Sequence, residues 1–160
     1  VAIADHDVGF GEMVEAARAA EEFTAFVDVD DERFLAPISM IKEIRAACTE
    51  GGQPVPESMG EVVRTIYCSL ALAYAKSVAQ LEEITGETYT SISLVGGGGQ
   101  DLYLDELTAK ACKLPVYVGP TEGTCFGNLM VQMITSGEFS SVQDGRDCIT
   151  RSIDVKVFRP

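Results

Sequence analysis

The sequence predicts an α/β fold, and three features of its second half carry this prediction. Residues 89–95 alternate between inward and outward positions and are rich in β-branched side chains, which is typical of a strand. Four consecutive glycines follow at residues 96–99, and a helical pattern then covers residues 102–112. Residues 115–118 predict a second strand, and residues 124–135 a further helix. This order predicts a right-handed crossover and parallel pairing of the two strands.

The first part of the chain is predicted to be an acidic lead-in followed by helices. Within residues 1–36, a short helix covers residues 12–22, with an extended surface stretch after it. Ser39 lies just past a proline and is a good N-cap for a helix that continues to Cys48.

The longest apolar periodicity spans residues 57–84 and ends at Thr85-Gly86. It predicts a central, heavily buried helix whose small residues allow close packing against a sheet. Near the C-terminus, residues 142–152 predict a last helix and residues 155–158 a short final strand.

The charge distribution excludes several classes of partner. The chain of 160 residues has a formal net charge of −13, so it repels polyphosphate backbones and anionic membrane surfaces. We therefore expect neither nucleic acid nor membrane as a partner. Residues 1–62 hold fourteen acidic and four basic residues, and residues 63–160 hold eleven and eight, which places any anionic ligand in the second part. With no membrane-spanning apolar stretch and no signal-peptide pattern, a cytoplasmic location is expected.

The five cysteines and the single histidine provide little for catalysis. An odd number of cysteines, no C-x-x-C pair and one histidine, His6, argue against a disulfide framework and a zinc site. The thiols are expected to be buried or half-buried, and only Cys112, near two lysines, has surroundings that suggest a reactive thiol. Ser/His/Asp chemistry would have to use His6. The acidic residues 28–32 lack the glycine and the spacing of a calcium loop.

The glycines at residues 96–99 have two interpretations. Successive backbone N–H groups at a helix N-terminus, with no Cβ in the way, can approach a nucleotide closely. The same residues can also form a tight turn without a ligand. The P-loop and dinucleotide patterns are both absent. Because residues 96–108 contain no Lys or Arg, a triphosphate would need a metal or groups from elsewhere to neutralise it.

A second glycine loop, residues 119–123, leads into the helix that contains Gly127. This glycine is expected on the helix surface, where it serves either packing or ligand contact.

Several short segments occur in order from about Asp28 to the end of the chain. They are Asp31-Glu32-Arg33-Phe34, Gln53-Pro54-Val55-Pro56-Glu57, Ser69-Leu70-Ala71-Leu72, Leu94-Val95-Gly96-Gly97-Gly98-Gly99-Gln100, Val118-Gly119-Pro120-Thr121-Glu122 and Gly127-Asn128. In this order and spacing they resemble the C-terminal part of the FGGY carbohydrate kinases, in the actin-like ATPase superfamily. The first two segments are more similar to the members that act on L-rhamnulose than to those that act on glycerol or xylulose.

The resemblance implies a fold, a reaction and a site. The fold would be a partial C-terminal, nucleotide-binding lobe of the actin-like, ribonuclease H-like type, covering residues 1–160, with a parallel βαβα unit and a long buried helix. The reaction would transfer the γ-phosphoryl group of ATP, held with Mg²⁺ in a cleft between two lobes, to the 1-hydroxyl of L-rhamnulose. Gly97 and Gly98 would contact the nucleotide through their backbone. Asp101 stands where these kinases usually have Asn, and its carboxylate can only accept hydrogen bonds.

The family's catalytic base, its sugar-binding residues and its phosphate-binding loop have no counterpart in this sequence. The resemblance therefore implies roughly the last third of a family member, inactive alone, whose partner is the N-terminal lobe of the same kinase. An incomplete sheet leaves an open strand edge, so self-association is expected through that edge or through the long helix.

Two other hypotheses remain: a non-catalytic actin-like module that works by binding or assembly, and a small nucleotide-binding or regulatory protein that is complete as it is.

Overall fold

A computed structural model describes residues 8–160, and the sequence-predicted role of His6 lies outside the described residues. The described part contains six α-helices and three short strands. In chain order they are α1 (Phe10–Ala19), α2 (Met40–Glu50), α3 (Met59–Thr85), β1 (Ile92–Leu94), α4 (Leu102–Cys112), β2 (Val116–Val118), α5 (Gly123–Thr135), α6 (Val142–Ser152) and β3 (Lys156–Phe158). Every predicted helix and strand is confirmed in place and type, and the ends differ by a few residues. The chain divides into two compact units, Val1–Thr85 and Gly86–Pro160.

The first unit has its own apolar core, built from one side of α2 and the beginning of α3. The helix α2 begins after Ser39 as predicted, although the Ser39 side chain makes no capping hydrogen bond. The core is formed by Ala25, Ile44, Cys48 and Val62, with Phe23, Val27, Phe34, Ile41 and Ile66 packed against it. Burial of these side chains is the main force that holds α2, the beginning of α3 and the stretch between α1 and α2 together.

The stretch between α1 and α2 is extended, as predicted, but its inner side is not on the surface. Residues 23–30 alternate between more and less exposed positions, and Ala25 is only 1% exposed. The side chain of Gln53 binds both backbone groups of Phe26, accepting from its N–H at 2.8 Å and donating to its carbonyl at 2.6 Å. The Val27 N–H donates to Ser69 Oγ at 2.9 Å. These side chains supply hydrogen bonds that a neighbouring strand would otherwise make.

The extended stretch ends in a short turn of 3₁₀ helix at Glu32–Phe34, which Arg33 ties to α2. The Arg33 guanidinium donates to Asp31 Oδ2 at 2.9 Å and to Glu50 Oε2 at 2.8 Å. Hydrogen bonds from the backbone and side chain of Arg33 lower the pKa of Asp31, and its side chain also lowers the pKa of Glu50. The Asp-x-Arg-Phe segment therefore has a structural role, because it links the 3₁₀ turn to α2.

The prediction that α3 is heavily buried is confirmed for its first half and wrong for its second. Its buried residues all lie between Gly60 and Ala71. In the second half, Leu72 is 52% exposed, Leu81 50% and Ile84 80%. Apolar periodicity indicates which face of a helix is apolar, but it does not indicate how much of that face the described residues cover.

The second unit contains a mixed three-stranded sheet in the order β1-β2-β3. The strands β1 and β2 are parallel, as predicted, with Ile92 opposite Val116 and Leu94 opposite Val118. The final strand β3 pairs antiparallel with β2. The helix α4 covers the sheet, because Ala109 packs with Val116 and Val118 in a cluster that also includes Ile92, Leu94 and Phe158.

A close helix contact in the first unit depends on Gly60. A Cβ at this position would lie 2.4 Å from the Ala16 carbonyl oxygen in α1, whereas a Cβ at Gly11 in the same helix pair would meet no atom of residues 8–160 within 4 Å. We predict that Gly60→Ala lowers the free energy of unfolding by about 2 kcal/mol, because backbone must move to admit the methyl group. Gly11→Ala should raise it by roughly 0.5–1 kcal/mol through helix propensity. Urea unfolding followed by circular dichroism measures both, and a Gly60→Ala protein as stable as the parent would contradict the contact.

Candidate functional site

A cleft lies at one edge of the sheet in the second unit. The carboxyl ends of the parallel strands β1 and β2 meet at this edge, and the antiparallel register of β3 brings Lys156 opposite Val118 there. The cavity has a volume of about 370 Å³ and is lined by Gly99, Gln100, Leu102, Val118, Gly119, Pro120, Thr121, Asp154 and Lys156. We call it the strand-end cleft. Ligands of open α/β sheets bind outside the carboxyl ends of the strands, so this is the candidate functional site.

The four glycines after β1 divide into two structural and two open positions. Gly96 has φ +86°, a conformation that favours glycine, and a Cβ at Gly99 would lie 2.5 Å from Val118 Cγ1. Gly97 and Gly98, in contrast, would place a Cβ in open space within the described structure. The turn thus serves close packing at Gly96 and Gly99, and leaves backbone accessible at Gly97 and Gly98.

The second glycine loop is joined to the first by backbone hydrogen bonds beyond the strands. The Gly119 N–H donates to the Leu94 carbonyl at 2.7 Å, and the Gly96 N–H donates to the Pro120 carbonyl at 3.1 Å. A Cβ at Gly119 or Gly123 would lie 3.2 Å from the Val95 side chain. The two loops therefore form a continuous wall of backbone.

Gly127 has no packing role within the described residues. A Cβ there would meet no atom within 4 Å, so the packing interpretation is not borne out by this part of the chain. Gly127 lies in the first half of α5, which begins at Gly123, the last residue of the second glycine loop.

The predicted nucleotide contacts Gly97, Gly98 and Asp101 are all near the cleft but are not among the residues that line it. Gly97 and Gly98 belong to the 3₁₀ turn Gly97–Gln100, whose last residue is part of the wall. Asp101 is the N-cap of α4, and its Oδ1 accepts from the Leu104 N–H at 3.3 Å. This cap explains a carboxylate at Asp101 without a ligand, because it satisfies a helix N–H and complements the helix dipole.

Three residues that line the cleft were not predicted from the sequence: Gln100, Thr121 and Lys156. Gln100 comes directly after the first glycine run, and Thr121 lies within the second glycine loop. Both could have been inferred as cleft residues once parallel pairing of β1 and β2 was predicted. Lys156 depends on which strand β3 pairs with and in which register, and no residue pattern in a three-residue strand encodes that.

A buried carboxyl, Asp105, is the least expected feature of α4. It is 1% exposed, and its Oδ2 has no hydrogen-bond partner among the described residues. Burial, with a smaller contribution from the negative charge of Asp101, raises the pKa of Asp105 to about 6. At neutral pH the second unit therefore holds a poorly solvated carboxylate one helical turn from the cap.

The remaining candidate residues are corrected or left without a site. All five cysteines are free thiols, but Cys125 is exposed, so the expectation of buried or half-buried thiols is wrong for it. Burial raises the pKa of the Cys112 thiol, which is the opposite of what a reactive cysteine needs. In residues 8–160, no cluster of three or more His, Cys, Asp or Glu side chains could hold a metal ion.

None of the helices formed by residues 8–160 combines the length and apolarity required to span a bilayer.

Comparison with known proteins identifies the family to which this chain belongs. Residues 2–136 match the C-terminal domain of the FGGY family of carbohydrate kinases, and the chain belongs to this family. Its relatives include the rhamnulokinase of Ligilactobacillus salivarius, which is 42% identical over 151 residues, covering 94% of this chain and 31% of that protein. The rhamnulokinase of Lactiplantibacillus plantarum is 39% identical over 159 residues (97% and 33%), and that of Bacillus subtilis 38% over 154 residues (96% and 32%).

The resemblance found in the sequence is thereby confirmed. The chain spans about a third of the length of the curated relatives it matches.

The raised pKa of Asp105 makes stability depend on pH. The native state holds this proton more tightly than the unfolded chain, where a pKa near 3.8 applies, so stability falls as pH rises from about 4 to about 6 and stays lower above that. We predict that Asp105→Asn raises the free energy of unfolding by about 1–3 kcal/mol at pH 8 and by much less at pH 4. Urea unfolding at both pH values tests this. The exposed Asp147→Asn variant is the control, and an equal pH dependence in both variants would contradict the account.

Proposed function

We propose that this chain is the nucleotide-binding part of an ATP-dependent sugar kinase, with the C-terminal lobe fold of the actin-like, ribonuclease H-like ATPases. The observation that carries the proposal is the strand-end cleft, where the open backbone of Gly97 and Gly98 adjoins a wall of glycine loops. Membership of the FGGY family supports ATP as the nucleotide. In this proposal residues 1–160 belong to one lobe, and residues 1–36 are its acidic lead-in.

The nucleotide is held mainly by backbone groups. Gly97 and Gly98 are exposed and a Cβ at either would stand in open space, so a ligand can approach their backbone closely. The lack of basic residues at 96–108 suits the neutral adenosine part. Asp101 is the third proposed contact. Its carboxylate can only accept, so it suits a ribose hydroxyl, which donates, while its hydrogen bond with Leu104 keeps it fixed at the start of α4.

The reaction of the whole protein is proposed to be transfer of the γ-phosphoryl group of ATP to the 1-hydroxyl of L-rhamnulose. The names of its relatives support this substrate, and similarity over 94–97% of the chain favours a kinase over a non-catalytic assembly module. The resemblance to the family assigns the general base to no residue of this sequence, and residues 8–160 contain no group of three or more His, Cys, Asp or Glu side chains that could hold a metal ion. The base, the sugar-binding side chains and most of the ligands of Mg²⁺ are assigned to an N-terminal lobe of the same kinase, which is the proposed partner.

By this reasoning the 160-residue chain binds nucleotide weakly and does not phosphorylate the sugar alone, since one wall of a two-lobed cleft is present. A cytoplasmic location, where ATP is available, is part of the proposal. Self-association through the open edge of β1 or through α3 remains a prediction.

A pair of adjacent glycines tests the nucleotide site. We predict that Gly98→Ala lowers ADP affinity about tenfold and leaves the free energy of unfolding nearly unchanged, because its methyl group would stand in open space beside the bound nucleotide. Gly99→Ala should instead lower the free energy of unfolding by about 1–3 kcal/mol, because its methyl group meets Val118 in the core. NMR titration with ADP and urea unfolding separate the two effects.

The control for both changes is Gly11→Ala in the first unit, which should alter neither the ADP affinity nor the fold of the second unit. Unchanged ADP affinity in a folded Gly98→Ala protein would contradict the proposed contact, and absence of any ADP binding to the parent chain would contradict the nucleotide site.

A further inference from the structure

The strand-end cleft contains a positive charge that comes from outside the glycine turns. Residues 96–108 provide no Lys or Arg, so the turn itself cannot balance a phosphate. Among the residues that line the cleft, Lys156 is the one basic residue. It lies beyond residues 2–136, the part that matches the family.

The sheet register explains how Lys156 reaches the cleft. The strand β3 runs antiparallel to β2, so its beginning lies beside the carboxyl end of β2, with Lys156 opposite Val118. Val118 is 6% exposed and belongs to the core, and Phe158 packs against the same core. The core of the second unit therefore fixes the start of β3, and with it the base of the Lys156 side chain, at the edge where the glycine loops end.

The charge of Lys156 is available to a ligand. Its side chain forms no hydrogen bond or ion pair with any of residues 8–160, unlike Lys110, which pairs with Glu106 at 2.7 Å. Asp154 is the one carboxylate that lines the cleft, so the two charges balance formally. The other polar side chains there, Gln100 and Thr121, are neutral and can both donate and accept hydrogen bonds.

We propose that Lys156 binds a phosphate oxygen of the nucleotide in the strand-end cleft, an assignment that rests on the proposed function. An ammonium group donates three hydrogen bonds, accepts none and carries a full charge, so its best partner is an anion. The adenine and ribose parts of a nucleotide are neutral. Substitution of Lys156 should therefore weaken binding of the phosphate groups and leave binding of the adenine and ribose groups largely unchanged.

The test compares ADP with adenosine, which share every group except the phosphates. On the 160-residue chain, ADP should bind more tightly than adenosine, and Lys156→Gln should lower ADP affinity about tenfold, the size of one charge-assisted hydrogen bond, while adenosine changes less than about twofold. Lys156→Arg keeps the charge and should retain most of the preference for ADP. Asp154→Asn removes a repelling charge and should increase that preference.

Arg159→Gln is the matched control, because it removes one positive charge from the other end of β3. It should leave both affinities unchanged, which separates a local contact from a change in net charge. Raising the salt concentration should reduce the preference for ADP in the parent chain and have little effect in Lys156→Gln.

The outcomes distinguish this assignment from the site itself. If ADP binds and Lys156→Gln leaves the ratio of ADP to adenosine affinity unchanged, the assignment of Lys156 is overturned and the nucleotide site stands. If Arg159→Gln has the same effect as Lys156→Gln, a specific contact is overturned. If neither ligand binds the parent chain, both proposals are overturned.

Discussion

The second unit depends on the pairing of β2 with a parallel strand on one side and an antiparallel strand on the other. Parallel pairing brings the ends of β1 and β2 to one edge, and antiparallel pairing brings the start of β3 to the same edge. Hydrogen bonds between Gly119 and Leu94 and between Gly96 and Pro120 extend this pairing into both loops. Glycine is needed at Gly99 because Val118 leaves no room for a Cβ. The cleft is thus a consequence of strand order and of close packing.

The segments that resemble carbohydrate kinases have two kinds of physical role in this chain. In the first unit they build structure: Arg33 ties a turn to α2, Gln53 pairs with the backbone of Phe26, and Ser69 accepts from Val27. In the second unit, the glycine segments shape the wall of a cleft. Resemblance of a segment to a family motif therefore does not by itself mark a ligand contact, and the contacts that each residue makes decide its role.

The helices and strands could be predicted well from the sequence, because apolar periodicity and glycines at the ends of helices and strands are local signals. It failed where burial depends on a neighbour that local pattern does not specify. The second half of α3 has an apolar face, yet Ile84 is 80% exposed, and Ala25 is buried inside a stretch that looked like surface. The burial of Asp105 in α4 was not predicted, because a charged residue in a helix normally indicates an exposed face. Lys156 could not be found because its place depends on the register of a strand three residues long.

The central claim is that this chain binds a nucleotide at the carboxyl ends of β1 and β2. The most direct measurement is a titration of the isotopically labelled chain with ADP, followed by backbone amide NMR. The account predicts that chemical-shift changes concentrate at the backbone amides of Gly97–Gln100, Gly119, Thr121 and Lys156. The amides of the first unit should be largely unaffected. Changes centred on the first unit, or none at saturating ADP, would contradict it.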